Sequence, residues 1–290
     1  MINYEGAVFR PPSEARSLII QATIGCSHNK CTFCSMYKEK TFRARDFSDV
    51  EKDLTSARSM YSSIRRIFLA DGDALILSTE RLVQILESVR RIFPECERVG
   101  IYGTSRSINL KSEQELIHLR ELGLGIVYLG LESGNDEILR SINKGESSED
   151  IVRAGKKARK AGLLVSVTAI SGLGGQRLRT EHAKDTAKAL SLMNPDFIGF
   201  LSLMVEPGTQ LWEEVSSGSF TLLTPQEIIE EMVIFLKNID SPGTVFRSNH
   251  ASNYFSLYGN LNEDIPSMLG ELDEAMKDQD LLRHEFMRRL

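Results

Sequence analysis

The sequence predicts an α/β fold built on a parallel sheet, and three observations predict it. Short, mostly apolar runs of the kind found in strands buried on both faces recur along the chain, helical patterns with one apolar stripe lie between them, and no repeat or proline-rich linker interrupts the alternation. Six such βα units in succession imply parallel pairing through right-handed crossovers.

The first strand is expected over residues 17–25 (SLIIQATIG), with a helix over 47–61. The second strand covers 66–70 and its helix 79–93, where Leu82, Val83, Ile85, Leu86, Val89 and Phe93 recur at three- and four-residue steps and mark one buried stripe. Strands three to six are expected over 99–103, 125–131, 163–170 and 196–202, with helices over 112–122, 148–161 and 181–192. Gly123 and Gly162 stop two of these helices. Beyond them come an apolar helix over 228–236, an unusually polar segment from Arg247 to Tyr254, and a charged amphipathic helix over 265–290, expected to pack on the core or a partner.

Composition bounds the setting. A chain of 290 residues, 41% hydrophobic, has material for one large core with a tail. Residues 1–16 read as an N-terminal extension, 17–210 as the core and 211–290 as a C-terminal extension that covers or flanks it. With 35 basic against 40 acidic side chains the net charge is −5, which argues against nucleic acid as a partner. Lys156, Lys157, Arg159 and Lys160 at helical spacing read as a solvated face or a local basic patch. Four cysteines, three of them clustered, do not make a disulfide framework, and Cys96 reads as a small apolar residue. No apolar run approaches the roughly 20 residues of a membrane span, and the opening residues Met1 to Glu5 do not resemble a secretory signal. A cytoplasmic, reducing location with no membrane contact is the expectation.

Ligands of parallel α/β folds sit where the βα loops gather, at the C-terminal ends of the strands. There the chain places Cys26, Cys31 and Cys34 after strand one, Ala70-Asp71-Gly72-Asp73 after strand two and Thr104-Ser105-Arg106 after strand three. Glu132-Ser133-Gly134 follows strand four, Ser171-Gly172-Leu173-Gly174-Gly175 strand five and Leu203 to Glu206 strand six. Three thiolates within nine residues leave a metal one ligand short. An iron–sulfur cluster with one open iron satisfies that pattern. Zinc is the alternative, with His28 as a cramped fourth ligand.

Together, the cysteine triad, the acidic glycine-containing turn, the Gly-Leu-Glu-Ser-Gly sequence and the Ile-x-Gly-Leu-Gly-Gly turn resemble the radical S-adenosylmethionine (SAM) superfamily over about residues 17–208. The similar group includes oxygen-independent coproporphyrinogen oxidases, methylthiotransferases and Elp3-like proteins. One departure stands out: four residues, Ser27 to Lys30, separate Cys26 from Cys31 where the superfamily usually has three. The resemblance implies a partial (β/α)6 TIM-like barrel with a C-terminal helical extension. It implies an oxygen-sensitive 4Fe-4S cluster held by Cys26, Cys31 and Cys34, whose open iron takes the amino and carboxylate groups of SAM. Reductive cleavage of SAM, fed by a low-potential donor such as a flavodoxin or ferredoxin, would release a 5′-deoxyadenosyl radical that abstracts hydrogen from a substrate.

The same resemblance suggests further roles. Phe33 packs beside adenine. Gly72 and Asp73 occupy the place of the family's Gly-Gly-Glu turn and receive the SAM ammonium, with Asp71 replacing the first glycine. Glu132 reaches SAM hydroxyl or ammonium donors, or is only a helix-start acid; Ser133 joins it or caps a helix. Gly172, Gly174 and Gly175 admit adenine or simply turn the chain. Arg106 pairs with a carboxylate of SAM or substrate, or forms a surface ion pair, and Glu206 sits on the rim. Arg247, Asn249, His250 and Asn253 recognise substrate or move protons, or belong to a capped solvent-facing turn. A radical SAM enzyme acting on a small or peptide-like substrate is the expected function, with an iron–sulfur carrier or assembly protein as the alternative. No segment resembles a cobalamin domain, a second cysteine cluster or a basic RNA-binding extension, so those chemistries are not expected.

Overall fold

Alternating β runs and amphipathic helices assemble into an α/β fold. The computed structural model, which describes residues 2–289, contains an eight-stranded, mostly parallel sheet and a separate two-stranded ribbon. Two compact units divide the chain. One gathers the chain up to Asn29, Met36–Leu129 and Ala154–Val165, and the other Lys30–Ser35, Gly130–Arg153 and the chain from Ser166 on. No helix among the described residues is long and apolar enough to cross a membrane.

In the first unit β1 (Leu18–Gln21) is followed by β2 (Thr23–Ile24), which pairs antiparallel with β3 (Arg43–Ala44). The apolar run over 17–25 is therefore two strands. Ala22 donates its N–H to Ala70 O at 2.6 Å, after which the chain turns toward β3 and leaves residues 25–42 as a loop closed at both ends. Strands β4 (Arg66–Ala70), β5 (Arg98–Gly103) and β6 (Leu124–Glu132) continue the parallel order, with Gln21 paired to Ala70 and Ile101 to Val127. Ile20, Ile67, Leu69, Ile101 and Val127 are fully buried and form the centre of this unit.

Helices α1 (Phe47–Met60), α2 (Thr79–Ile92), α3 (Ser105–Asn109) and α4 (Glu113–Glu121) belong to the same unit. α2 buries Leu82, Ile85, Leu86 and Val89, the stripe its periodicity predicts. Ser112 and Glu115 form a reciprocal capping box at the start of α4. Gly123 and Gly162, at φ 110° and 83°, take the left-handed turns that end their helices, where a Cβ would be strained. The basic stripe is not simply a solvated face: Lys157 Nζ donates to Ile108 O at 3.3 Å and Asn109 O at 3.2 Å, and Lys160 pairs with Glu113 at 2.8 Å.

The second unit contains α5 (Asp136–Ser141), and α6 (Ser148–Lys160) begins there. After β7 (Leu164–Ser171) follow α7 (Arg179–Met193), β8 (Phe197–Ser202), α8 (Gln210–Ser216) and α9 (Pro225–Asn238). β9 (Val245–Arg247) then pairs parallel with β8 and antiparallel with β10 (Tyr258–Asn260). Phe200, Phe235 and Phe246 stack with centroids 4.6 to 5.9 Å apart and join strand to helix. The last helix, α10 (Ile265–Lys277), is shorter than the amphipathic pattern over 265–290 predicts. The Asp278 carboxylate accepts from the Asp280 N–H at 3.0 Å and turns the chain, which continues as two short 3-10 turns.

Candidate active site

The cysteine loop begins as β2 ends, and its first part belongs to the first unit. Asp71, at the end of β4, is completely buried. Its carboxylate accepts from the Gly25 N–H at 2.9 Å, from Gln21 Nε2 at 3.2 Å and from Lys40 Nζ at 2.9 Å. One side chain thus ties the end of β1 to both ends of the loop, which explains an aspartate where the resemblance expects glycine. Gly72 follows under closer constraint. A Cβ there would lie 2.6 Å from the Tyr37 ring and 3.1 Å from Cys26 Cβ, so the backbone passes against the first cysteine only because no side chain intervenes. Asp73 is buried, accepting from Ser27 Oγ and from the Thr104 N–H and hydroxyl at 3.3 and 3.2 Å; burial raises its carboxyl above the usual range, against those hydrogen bonds.

Residues 30–35 belong to the second unit. There the Thr32 N–H donates to Ile142 O at 3.0 Å, Thr32 O accepts from the Leu211 N–H at 3.1 Å and Lys30 O from Asn143 Nδ2 at 3.2 Å. Next to this strip lies a residue that no sequence signal marks. Lys144 Nζ pairs with Glu132 Oε1 at 3.0 Å, both side chains about nine-tenths buried. Burial alone would lower the Lys144 pKa; the Glu132 carboxylate and the Cys31 side chain reverse this and hold the ammonium charged. Glu132 therefore faces a lysine and does not begin a helix.

Ser133 and Gly172 converge on one buried polar network in this unit. His182 Nε2 lies 2.9 Å from Ile170 O, so that nitrogen donates and Nδ1 accepts from Ser133 Oγ at 2.8 Å. Glu231 receives the Gly172 N–H at 3.1 Å, and a Cβ at Gly172 would lie 2.9 Å from Ile228 Cδ1. Burial pushes the Glu231 carboxyl up to about 8 and the His182 imidazole down to about 4, so both are neutral at pH 7. Above the ordinary histidine value, unfolded Glu231 is ionised while the folded group holds its proton, so stability falls as pH rises toward 8. At lower pH unfolded His182 takes up the extra proton and opposes this slope. The urea-unfolding free energy should therefore drop by about 1 kcal/mol between pH 6.5 and 8. Glu231→Gln should remove that slope, and a flat wild-type profile would contradict the assignment.

Phe33 is half-exposed on the cysteine loop, Arg106 is exposed on α3, and Glu206 is half-buried with its carbonyl turning the chain into α8 through Thr209. The segment from Arg247 to Tyr254 is held from the C-terminal side. Arg283 donates to the carbonyls of Ala251 and Asn253 at 2.9 Å, and Arg288 to Ser252 O and Leu203 O at 2.6 Å while stacking on Tyr254 at 4.0 Å. Asn253 is fully buried, its amide donating to Phe200 O and accepting from Ser202 Oγ, both at 2.9 Å. His250 is half-buried with Nδ1 accepting from the Ser252 N–H at 3.1 Å; Asn249 and Arg247 are exposed. Removing Arg288 strips this segment of its hydrogen bonds to Ser252 O and the Tyr254 hydroxyl and of its stacking on the Tyr254 ring. Arg288→Ala should cost about 2–4 kcal/mol by urea unfolding, and a change under about 0.5 kcal/mol would show the clamp to be idle.

Cys26, Cys31 and Cys34 form no disulfide and are half-buried, and the thiols are the soft ligands that iron–sulfur clusters need. Among the described residues, no three His, Cys, Asp or Glu side chains are drawn into the geometry of a metal site. The residue types and the lysine beside Cys31 therefore fit a cluster.

Comparisons with known proteins follow the same lines. The model of the radical SAM superfamily matches residues 20–188. Over 191 residues the chain is 24% identical to the heme chaperone HemW of Bacillus subtilis, covering 65% of this chain and 50% of that one. Over 207 residues it is 28% identical to an uncharacterized methyltransferase, PH0819, of Pyrococcus horikoshii, covering 70% and 43%. The chain thus spans about half the length of these relatives or less. Among solved structures it resembles Escherichia coli coproporphyrinogen III oxidase, HemN, at TM-score 0.56 and 21% identity over 77% of this chain and 54% of that one. Methylornithine synthase, PylB, gives a TM-score of 0.55 at 17% identity over 79% and 63%. These structures share the α/β fold.

Proposed function

The chain belongs to the radical SAM superfamily, and from that membership we propose that it is an enzyme that cleaves SAM reductively and abstracts hydrogen from a small or peptide-like substrate. The observation that carries the reading is the loop bearing Cys26, Cys31 and Cys34, with Gly72 against Cys26 in one unit and Lys144 beside Cys31 in the other.

In this reading the three cysteines hold a 4Fe-4S cluster, which with bound SAM supplies a 5′-deoxyadenosyl radical. Lys144 keeps positive charge next to Cys31, and Glu132 holds the lysine in place. Gly72 brings main chain close to Cys26, where Asp73 serves the SAM ammonium. Ser133 and Gly172, fixed by His182 and Glu231, position the turns that meet SAM. Phe33, Arg106 and Glu206 complete the SAM surroundings, and a flavodoxin- or ferredoxin-like donor supplies the electron. HemW, a similar protein, is named a heme chaperone, so a carrier that does not turn over SAM is the competing reading. The protein reconstituted without oxygen and given SAM and dithionite should form 5′-deoxyadenosine, even without substrate. A fully loaded cluster that gives none supports the carrier.

A further inference from the structure

Side chains of β7, β8 and β9 divide between two faces of the sheet in the second unit. Val167, Ala169, Ile198, Phe200 and Phe246 are all at most 1% exposed, with Phe200 and Phe246 against Phe235 of α9. The alternating residues Thr168, Phe197, Gly199 and Leu201 are half-exposed, and Arg247 is exposed. Register aligns one row across this second face. Thr168 pairs with Gly199, Gly199 with Arg247, and Arg247 with Tyr258.

Gly199 leaves a gap in the row. A Cβ there would meet nothing closer than Leu201 Cδ1 at 3.8 Å and Val167 O at 3.9 Å, so the sheet leaves room for a group this chain does not supply. Arg247, the register partner of Gly199, carries its guanidinium 5.9 Å from the Phe197 ring centre and 5.8 Å from that of Tyr258. Among the described residues no carboxylate pairs with it, and the Thr168 hydroxyl on the other side makes no hydrogen bond. An arginine with open donors, a hydroxyl across one strand and aromatic rings beside them suit a planar anion with two oxygens.

We propose that this row is a substrate subsite, in which a carboxylate sits over Gly199 between the Arg247 guanidinium and the Thr168 hydroxyl, flanked by Phe197 and Tyr258. A guanidinium fork matches the two oxygens of a carboxylate, whereas a phosphate dianion in a site with a single cation would keep most of its charge uncompensated. Calling the ligand a substrate rests on the radical SAM reading; the anion site does not.

The test is equilibrium binding to the full chain of hexanoate, benzoate and phenylacetate, each against its primary amide, with SAM affinity measured in parallel. At least one acid should bind about ten- to a hundredfold more tightly than its amide, the range for a hydrogen bond to a charged group. Arg247→Gln should abolish that preference, and so should Gly199→Leu, which fills the gap and keeps the arginine. SAM affinity should be unchanged in both. The proposal is overturned if no acid binds, if acid and amide bind alike, if either variant keeps the preference, or if Arg247→Gln weakens SAM binding in place of the acids. Because binding is read without turnover, failure to form 5′-deoxyadenosine would overturn the enzyme reading and leave this result standing.

Discussion

Cys31→Ala protein, reconstituted without oxygen, should lack the cluster's visible absorption and form no 5′-deoxyadenosine above background. The expected loss is on the order of 10⁶-fold, the low end of what enzymatic acceleration supplies, because the variant would lose the radical source and not merely weaken a contact. Cys31 is the thiol that shares its surroundings with Lys144 and Glu132. Removing it leaves two potential thiol ligands in the loop, too few for a cluster with only one iron open. The variant should still fold, since residues 30–35 are stitched to Ile142, Asn143 and Leu211 through main-chain groups that the substitution leaves alone. A circular dichroism spectrum matching the wild type would separate a lost ligand from a lost fold. An unchanged visible spectrum would show that the ligands are wrongly chosen.

Asp71→Ala should be the most damaging substitution to stability in the first unit. The Asp71 carboxylate is fully buried, and the Lys40 side chain opposite it only 10% exposed. Breaking such a pair from one side leaves an uncompensated charge and costs about 3–5 kcal/mol, a large part of the roughly 5–15 kcal/mol that holds a domain together. The Gly25 N–H and Gln21 amide lose their acceptor as well. Asp71→Asn keeps an acceptor but drops the charge, and should cost about 1–3 kcal/mol. Asp71→Leu combined with Lys40→Met, which removes both charges, should recover part of the loss. Urea unfolding measures all three. If Asp71→Ala shifts stability by less than about 0.5 kcal/mol, as a surface substitution does, the clamp is not what fixes the loop.

Much of this fold was legible because its signals are local. Strand β4 occupies the residues its apolar run predicts, and α2 buries the stripe that its three- and four-residue spacing marks. The reading failed where partners are distant or segments short. The break at Ala22 is invisible in a mostly apolar run, because it depends on a hydrogen bond to Ala70 and on pairing with residues 43–44. β9 and β10, three residues each, are too short for alternation to register.

The same division runs through the candidate site. The cysteine triad stood out because its three members are close in sequence. Asp71 looked like a missing glycine until its partner Lys40, 31 residues away, explained it. Lys144 looked like any lysine in a glycine turn, since neither Glu132 nor Cys31 is next to it in sequence. His182 and Glu231 lie in helices whose local sequence does not set them apart, and only tertiary packing shows these two to be buried.

Electron paramagnetic resonance of the dithionite-reduced protein, recorded with and without SAM, tests the central claim most directly. A 4Fe-4S cluster held by three cysteines should give a signal whose shape changes when SAM occupies the open iron, and Cys26→Ala, Cys31→Ala and Cys34→Ala should each abolish it. An EPR-silent protein carrying zinc on the cysteine loop, or a cluster signal that SAM leaves unaltered, would contradict the account.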